Sequence, residues 1–279
     1  MLKRIILSFI LGLNLFIFGG CSNNDAILND NTSTPLEGIA ESASFSLSLL
    51  EDDRIVYHAQ QGKLIDEDTV GSVAVYTGIV EKSEVCTDVY LEAKVGGKTL
   101  TYELGCWDYH VLCYGGGLFL VDLNGDGVDE IILFMEVTGN GGALAQVFTI
   151  QKDEISLLYD LNNVNLGLNT IYQDGFKMLL EKMTVGFSET IDISREYGPE
   201  HFDKNGQFTG TSQIFLSSVN WGFVEPATGD ELPKVSCKRY VYLTNYLGEL
   251  QTVFQYNPET ESLALVSMDF KKTGDDSAS

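Results

Sequence analysis

Hydrophobic and polar residues alternate in short runs from about residue 44 to residue 270, and turn-forming residues separate the runs. A period of two is typical of β-strands, in which successive side chains point to opposite faces. The clearest pair of runs, 88–95 and 98–104, flanks Gly96-Gly97, a two-residue turn that favours a hairpin. We therefore predict a mainly β fold of antiparallel sheets and hairpins, propeller-like or sandwich-like, with few short helices.

The remaining alternating runs predict further strands. They cover residues 44–50, 73–80, 145–150, 176–184, 212–218, 239–245, 251–256 and 263–270. The last three are expected to form an antiparallel meander with turns at Leu247-Gly248 and at 257–260. Residues 35–43 could hold one short helix. Residues 44–270 are long enough for one large β domain or two small ones.

One segment breaks this alternation with closely spaced oxygen-bearing side chains. Residues 122–130 read Asp-Leu-Asn-Gly-Asp-Gly-Val-Asp-Glu, and the apolar run 131–134 follows at once. Oxygens at alternate positions can converge on one hard cation where glycines let the backbone curl tightly. Position 7 would add the Val128 carbonyl and position 9 the Glu130 carboxylate. The predicted ligands of a structural Ca²⁺ are Asp122, Asn124, Asp126, Val128 and Glu130, with Asp129 in reserve.

This acidic loop (residues 122–130) is not an EF-hand, because position 12 is Leu133, within the apolar run, and not glutamate. The succession of strand, loop, strand, glycine-rich turn 139–142 and strand resembles the FG-GAP or VCBS repeat over residues 118–158. That resemblance implies the calcium-stabilised modules of integrin-like propellers and bacterial surface proteins. The family usually has aspartate at position 9, so Glu130 departs from its pattern. The alternative is an Asx-rich turn that holds no ion.

No second loop of this kind occurs in the sequence, so a propeller with several calcium blades is not predicted. The most similar other segment, Asp203-Lys204-Asn205-Gly206, is expected to be a hairpin turn.

The N-terminal sequence predicts export and lipid anchoring. Lys3 and Arg4 precede a mainly apolar stretch, 5–18, that is too short to span a membrane but suits a secretory signal. Phe18-Gly19-Gly20-Cys21 resembles the bacterial lipobox, which implies a signal peptide at 1–20 and a lipid on Cys21. Residues 21–43 would then form a flexible tether, and 271–279 a polar tail. The expected location is the cell membrane, facing the exterior; the alternative is an ordinary secretory signal.

Charge restricts the partners of the mature chain. Removing Lys3 and Arg4 leaves 15 basic against 40 acidic residues, a net charge of −25. Nucleic acid, which needs a basic footprint, is therefore not an expected partner. Four cysteines remain after Cys21: Cys86, Cys106, Cys113 and Cys237. Outside the cytosol they permit two disulfides, for example Cys106–Cys113 and Cys86–Cys237, or buried free thiols.

Candidate binding chemistry lies just upstream of the acidic loop. Trp107, Tyr109 and Tyr114 precede or flank the glycines 115–117 and could form an aromatic platform for a glycan or peptide. Cross-strand or core packing of these rings is the alternative. No catalytic motif accompanies the three histidines, and no catalytic residue is assigned. We expect a calcium-stabilised surface binding or adhesion module; the alternative is a lipid-anchored hydrolase of a wall or dietary polymer.

Overall fold

The computed structural model describes residues 56–77, 87–107, 116–137, 142–194, 202–207, 209, 214–229, 231–243 and 245–273. Within these ranges the chain forms fifteen strands and one 3₁₀ turn. The strands are β1 Val56–Lys63, β2 Val70–Thr77, β3 Thr87–Val95, β4 Lys98–Trp107, β5 Gly116–Val121, β6 Glu130–Val137, β7 Gly142–Gln151, β8 Glu154–Asp160, β9 Asn169–Gln173, β10 Lys177–Lys182, β11 Phe187–Asp192, β12 Phe215–Glu225, β13 Lys234–Tyr242, β14 Tyr246–Asn257 and β15 Ser262–Lys272, and the 3₁₀ turn is Met183–Val185. No helix in the described part of the chain is long and apolar enough to cross a bilayer.

The strands make four antiparallel sheets, each from consecutive strands. Sheet 1 holds β1–β4, sheet 2 holds β5–β8, sheet 3 holds β9–β11 and sheet 4 holds β12–β15. Every neighbouring pair is antiparallel, as hairpin connections require. The predicted mainly β, antiparallel fold is confirmed.

Sheet 2 contributes side chains to two hydrophobic cores. Its strand β6 has a continuously apolar sequence because both of its faces are buried. Ile131 and Leu133 are buried in the first core, which sheets 1 and 2 share. Ile132 and Phe134 are buried in the second core, which sheet 2 shares with sheets 3 and 4. A strand that is covered on both faces cannot alternate with polar residues. The run that follows the acidic loop is therefore an inner strand of sheet 2 that is buried on both faces.

Local turn chemistry places one predicted hairpin correctly and one predicted turn wrongly. Gly96 and Gly97 have φ of 58° and 75°, the positive values that the tight turn between β3 and β4 requires. Leu247-Gly248 is not a turn, since both residues lie inside β14. The antiparallel strands β13 and β14 instead end and begin at Tyr242 and Tyr246, which pair with each other. Glycine is needed at 248 because a Cβ there would lie 2.3 Å from the Lys271 carbonyl oxygen of β15.

Four strands were missing from the predicted set: β1, β8, β9 and β11. The turn at 257–260 between β14 and β15 is confirmed, and β15 continues to Lys272, two residues past the predicted end. Asp203 accepts hydrogen bonds from the backbone of Asn205 and Gln207, and Gly206 has φ of 76°, so the predicted turn forms there. The signal peptide, the tether, the strand 44–50 and the helix 35–43 lie outside the described residues.

Candidate functional site: the acidic loop

The acidic loop connects β5 to β6 and curls around one carboxylate. Oδ1 of Asp122 accepts hydrogen bonds from the backbone N–H groups of Gly125 (2.7 Å) and Asp126 (3.1 Å), and Oδ2 accepts one from Gly127 (2.8 Å). Gly125 and Gly127 have φ of 81° and 86°, a conformation that residues with a side chain rarely adopt. The tight curl that the glycines predicted is therefore present.

Glu130 is the buried member of the loop, with 6% of its surface exposed. Its Oε2 accepts a hydrogen bond from the Leu123 N–H at 2.8 Å, and its Oε1 accepts one from Asn124 Nδ2 at 3.2 Å. Burial, together with the smaller effect of the charges of Asp126 and Asp122, raises the pKa of Glu130 to about 7, although the hydrogen bond from the Leu123 N–H opposes this rise. An ionised Glu130 is thus costly here unless positive charge joins it.

The predicted ligands are all oxygen donors, which suits a hard cation such as Ca²⁺. The Asn124 amide now fills the gap between two carboxylates, because its Nδ2 donates to Asp126 Oδ2 (3.1 Å) and to Glu130 Oε1. Among the described residues, no three acidic, histidine or cysteine groups converge as a metal site.

One side-chain rotation would place an oxygen atom where the Asn124 N–H group now lies. Turning the Asn124 amide would present its Oδ1 to the gap between the two carboxylates. The Asp126 N–H now donates to this Oδ1 at 2.8 Å and would lose that acceptor, but it would still donate to Oδ1 of Asp122. The loop residues therefore fit Ca²⁺ by donor type and by backbone curl. A bound cation would supply the positive charge that the three carboxylates lack.

The loop also contacts the second core and sheet 1. Leu123 is 2% exposed and packs in the second core. Asp129 holds the end of β1, since its N–H donates to the Lys63 carbonyl (2.6 Å) and its Oδ2 accepts the Lys63 N–H (2.7 Å). Asp129 is therefore engaged by sheet 1 through one carboxylate oxygen, and its role as the reserve ligand stays a prediction.

Two distant residues cover the loop and were missed by the sequence analysis. A Cβ on Gly127 would lie 2.5 Å from Cγ of Glu67, in the β1–β2 turn. A Cβ on Gly125 would lie 3.1 Å from Leu232, in the β12–β13 connection. Each glycine thus also leaves room for a neighbour from another sheet. No local sequence signal marks either neighbour, because each contact spans dozens of residues.

The predicted aromatic platform is only partly described. Trp107 is the last residue of β4 and pairs with Thr87, whereas Tyr109 and Tyr114 lie outside the described residues. Cys21, Cys86 and Cys113 also lie outside them. Cys237 is a free, fully buried thiol, and burial raises its pKa to about 12. The suggested Cys86–Cys237 disulfide is therefore wrong for this structure.

Comparison with protein-family models, curated proteins and solved structures gives no match to the chain. The resemblance of residues 118–158 to the FG-GAP or VCBS repeat remains a prediction.

Proposed function

We propose that the protein is a binding or adhesion module, stabilised by Ca²⁺ in the acidic loop and carried on the outer surface of a bacterial cell by a lipid on Cys21. The observation that carries the calcium assignment is Glu130, a carboxyl buried beside two other acids with a pKa raised to about 7. A divalent cation would remove the cost of ionising it. Because the loop contacts the second core and is hydrogen-bonded to sheet 1, that gain would act on both parts of the fold.

The calcium assignment is tested by melting the protein with Ca²⁺ and with a chelator. At an extracellular Kd on the order of 10⁻⁴ M and millimolar calcium, linkage gives about 1.4 kcal/mol of stabilisation. Asp126→Ala should abolish this response, since no other side chain can supply its oxygens at position 5. If calcium leaves the melting curve of the wild-type protein unmoved, the acidic loop is only a turn.

The anchoring assignment is tested separately. Lipidation needs the thiol of Cys21, so Cys21→Ser should release the protein into the medium or leave its signal uncleaved. Two acyl chains hold a protein on a membrane where one does not, so the wild type should stay with the membrane fraction. A fully processed Cys21→Ser protein that stays in the membrane fraction would refute the lipoprotein assignment.

The hydrolase alternative has one observation in its favour, because a carboxyl with a pKa near 7 can act as a general acid. Its position argues against that role. Both carboxylate oxygens of Glu130 already accept hydrogen bonds inside the loop, and the side chain is buried. A polymer would have to open the loop to reach it.

A further inference from the structure

The outer face of sheet 4 carries an unusual set of exposed aromatic rings. Phe215 is 64% exposed, Trp221 48% and Tyr240 37%, and they are the exposed aromatic side chains of the described part of the chain. The strand register places all three on the same face, opposite the side that enters the second core. Exposed apolar surface gathered on one face is a mark of an interaction site.

The rings form two groups. Within each group, the neighbouring side chains pack against one another. Tyr242 contacts Phe215, Tyr240 and Tyr246, with ring centroids 5.3–6.3 Å apart within this group. Trp221 packs on Phe223 at 4.9 Å, and the Lys238 ammonium lies 5.2 Å from its ring centroid. None of these residues belongs to either hydrophobic core. The rings are thus held in place without being needed to fill the interior.

The register gives the length of this aromatic face (Phe215, Trp221, Phe223, Tyr240, Tyr242 and Tyr246). Phe215 pairs with Tyr242 and Trp221 pairs with Lys238, four residues along β13. At about 3.4 Å per residue, the two rings lie about 14 Å apart along the strand, with Tyr240 between them. A ligand that contacts all three exposed rings must therefore be extended.

The charge of the face selects an uncharged ligand. The register directs three basic and three acidic side chains to this side of sheet 4: Lys234, Lys238, Lys271, Glu225, Glu249 and Asp269. The face is balanced in a chain of net charge −23, so it has no net attraction for a polyion. A second copy of the chain would bring two strongly acidic molecules together, which long-range repulsion opposes.

The position of the rings also argues against a peptide strand. A peptide that extends this sheet would pair with the edge strand β12, and it would not lie across Tyr240, because β13 has neighbours on both sides. The aromatic face offers ring faces and side-chain hydroxyl and amide groups, not backbone groups. Sugar rings match this chemistry, because they have apolar C–H faces and hydroxyl edges, and aromatic side chains pair an apolar body with a polar tip.

We propose that the aromatic face binds an uncharged polysaccharide, laid across Phe215, Tyr240 and Trp221. This inference rests on the proposed binding-module function and names its ligand class. The test uses the full-length protein in detergent with calcium, mixed with insoluble cellulose, xylan or mannan, and with polygalacturonate as the charged counterpart. We expect retention by at least one uncharged polymer and about a tenfold weaker affinity for Trp221→Ala and for Tyr240→Ala.

Three controls make the result decisive. Trp221→Phe should keep most of the binding, and Met183→Ala, at a side chain 73% exposed on another element, should keep all of it. Each variant should melt like the wild type and keep its calcium response. The proposal is overturned by no retention on any uncharged polymer, by retention on polygalacturonate alone, or by equal binding of Trp221→Ala and wild type.

Light scattering adds a further outcome. A dimer of the wild type that Trp221→Ala dissociates would make the face a contact between copies and would overturn the polysaccharide assignment. A normal calcium shift and membrane anchoring with no polysaccharide retention would refute this inference alone. Loss of the calcium shift or of anchoring in the wild type would instead refute the proposed function.

Discussion

Glu130→Gln separates the cost of a buried charge from the benefit of a cation. Glutamine has the shape of protonated glutamate: its Oε1 can accept the Leu123 N–H while its Nε2 donates to a rotated Asn124 amide. The wild-type carboxyl has a folded pKa of about 7 against an ordinary value of 4.5. That rise corresponds to about 3 kcal/mol, since a tenfold change in proton affinity is worth about 1.4 kcal/mol.

The sign of this effect follows from which state binds the proton more tightly. Between pH 4.5 and about 7 the folded protein holds a proton on Glu130 that the unfolded chain has lost. The free energy of unfolding therefore falls as pH rises through this window and levels off above it. In chelator, Glu130→Gln should match the wild type near pH 4.5 and be more stable by about 3 kcal/mol at pH 8. For a domain of this size that is a difference in Tm of roughly 5–10 °C.

Calcium should then act on the wild type alone. A hundredfold excess over Kd adds about 2.7 kcal/mol, which would close the gap at pH 8. The assay is thermal unfolding at pH 5 and pH 8, each with chelator and with calcium. Glu259→Gln, at an exposed turn residue, is the matched control and should follow the wild type throughout. A Glu130→Gln protein less stable than the wild type in chelator at pH 8 would refute the reasoning.

Two other residues give predictions of a simpler kind. Asp129→Ala should lower the free energy of unfolding by about 1 kcal/mol, because the Lys63 N–H loses its acceptor, but it should keep the stabilisation by calcium. The control variant Asp153→Ala removes an exposed ion pair to Lys98 and should change the free energy of unfolding by less than about 0.5 kcal/mol. Unfolding in urea measures both, and loss of the calcium shift in Asp129→Ala would contradict its assignment. Cys237 should stay unlabelled by a thiol reagent at pH 8 in the folded protein and label once it is unfolded, as mass mapping of its peptide would report. Rapid labelling of the folded form would show that its strand opens.

Features whose cause is local were predictable. The Gly96-Gly97 turn and the curl of the acidic loop both depend on backbone conformations that glycine alone adopts readily, so the residue type reports the geometry. At Gly248 the presence of glycine led to a wrong prediction of a turn, because glycine is required there by the close approach of β15. A sequence does not distinguish these two uses of glycine, because the second depends on a strand about twenty residues away.

The aromatic face was not predictable from the sequence, because its residues come together only through strand pairing. Trp221 and Tyr240 lie on different strands, and β12 changes register twice between Leu216 and Trp221. Each such irregularity alters which side chains face outward, so the alternation of β12 read by itself does not predict the face on which Trp221 lies. The predicted platform at Trp107, Tyr109 and Tyr114 relied on closeness in sequence. The observed aromatic cluster depends on pairing between strands.

The acidic loop and the aromatic face are separate sites, but the segment that connects β12 to β13 links them. Leu232, which packs over Gly125 of the loop, belongs to the connection between β12 and β13, and Gln255 of β14 donates to its carbonyl oxygen at 2.8 Å. The strands that carry Trp221 and Tyr240 are therefore joined to the loop through one short segment. A cation that orders the loop would restrain that segment from one end. An extended ligand on the aromatic face needs β12 and β13 in a fixed register, because its contacts are divided between them. Calcium in this fold would thus support recognition by limiting the motion of the strands that bind, without touching the ligand.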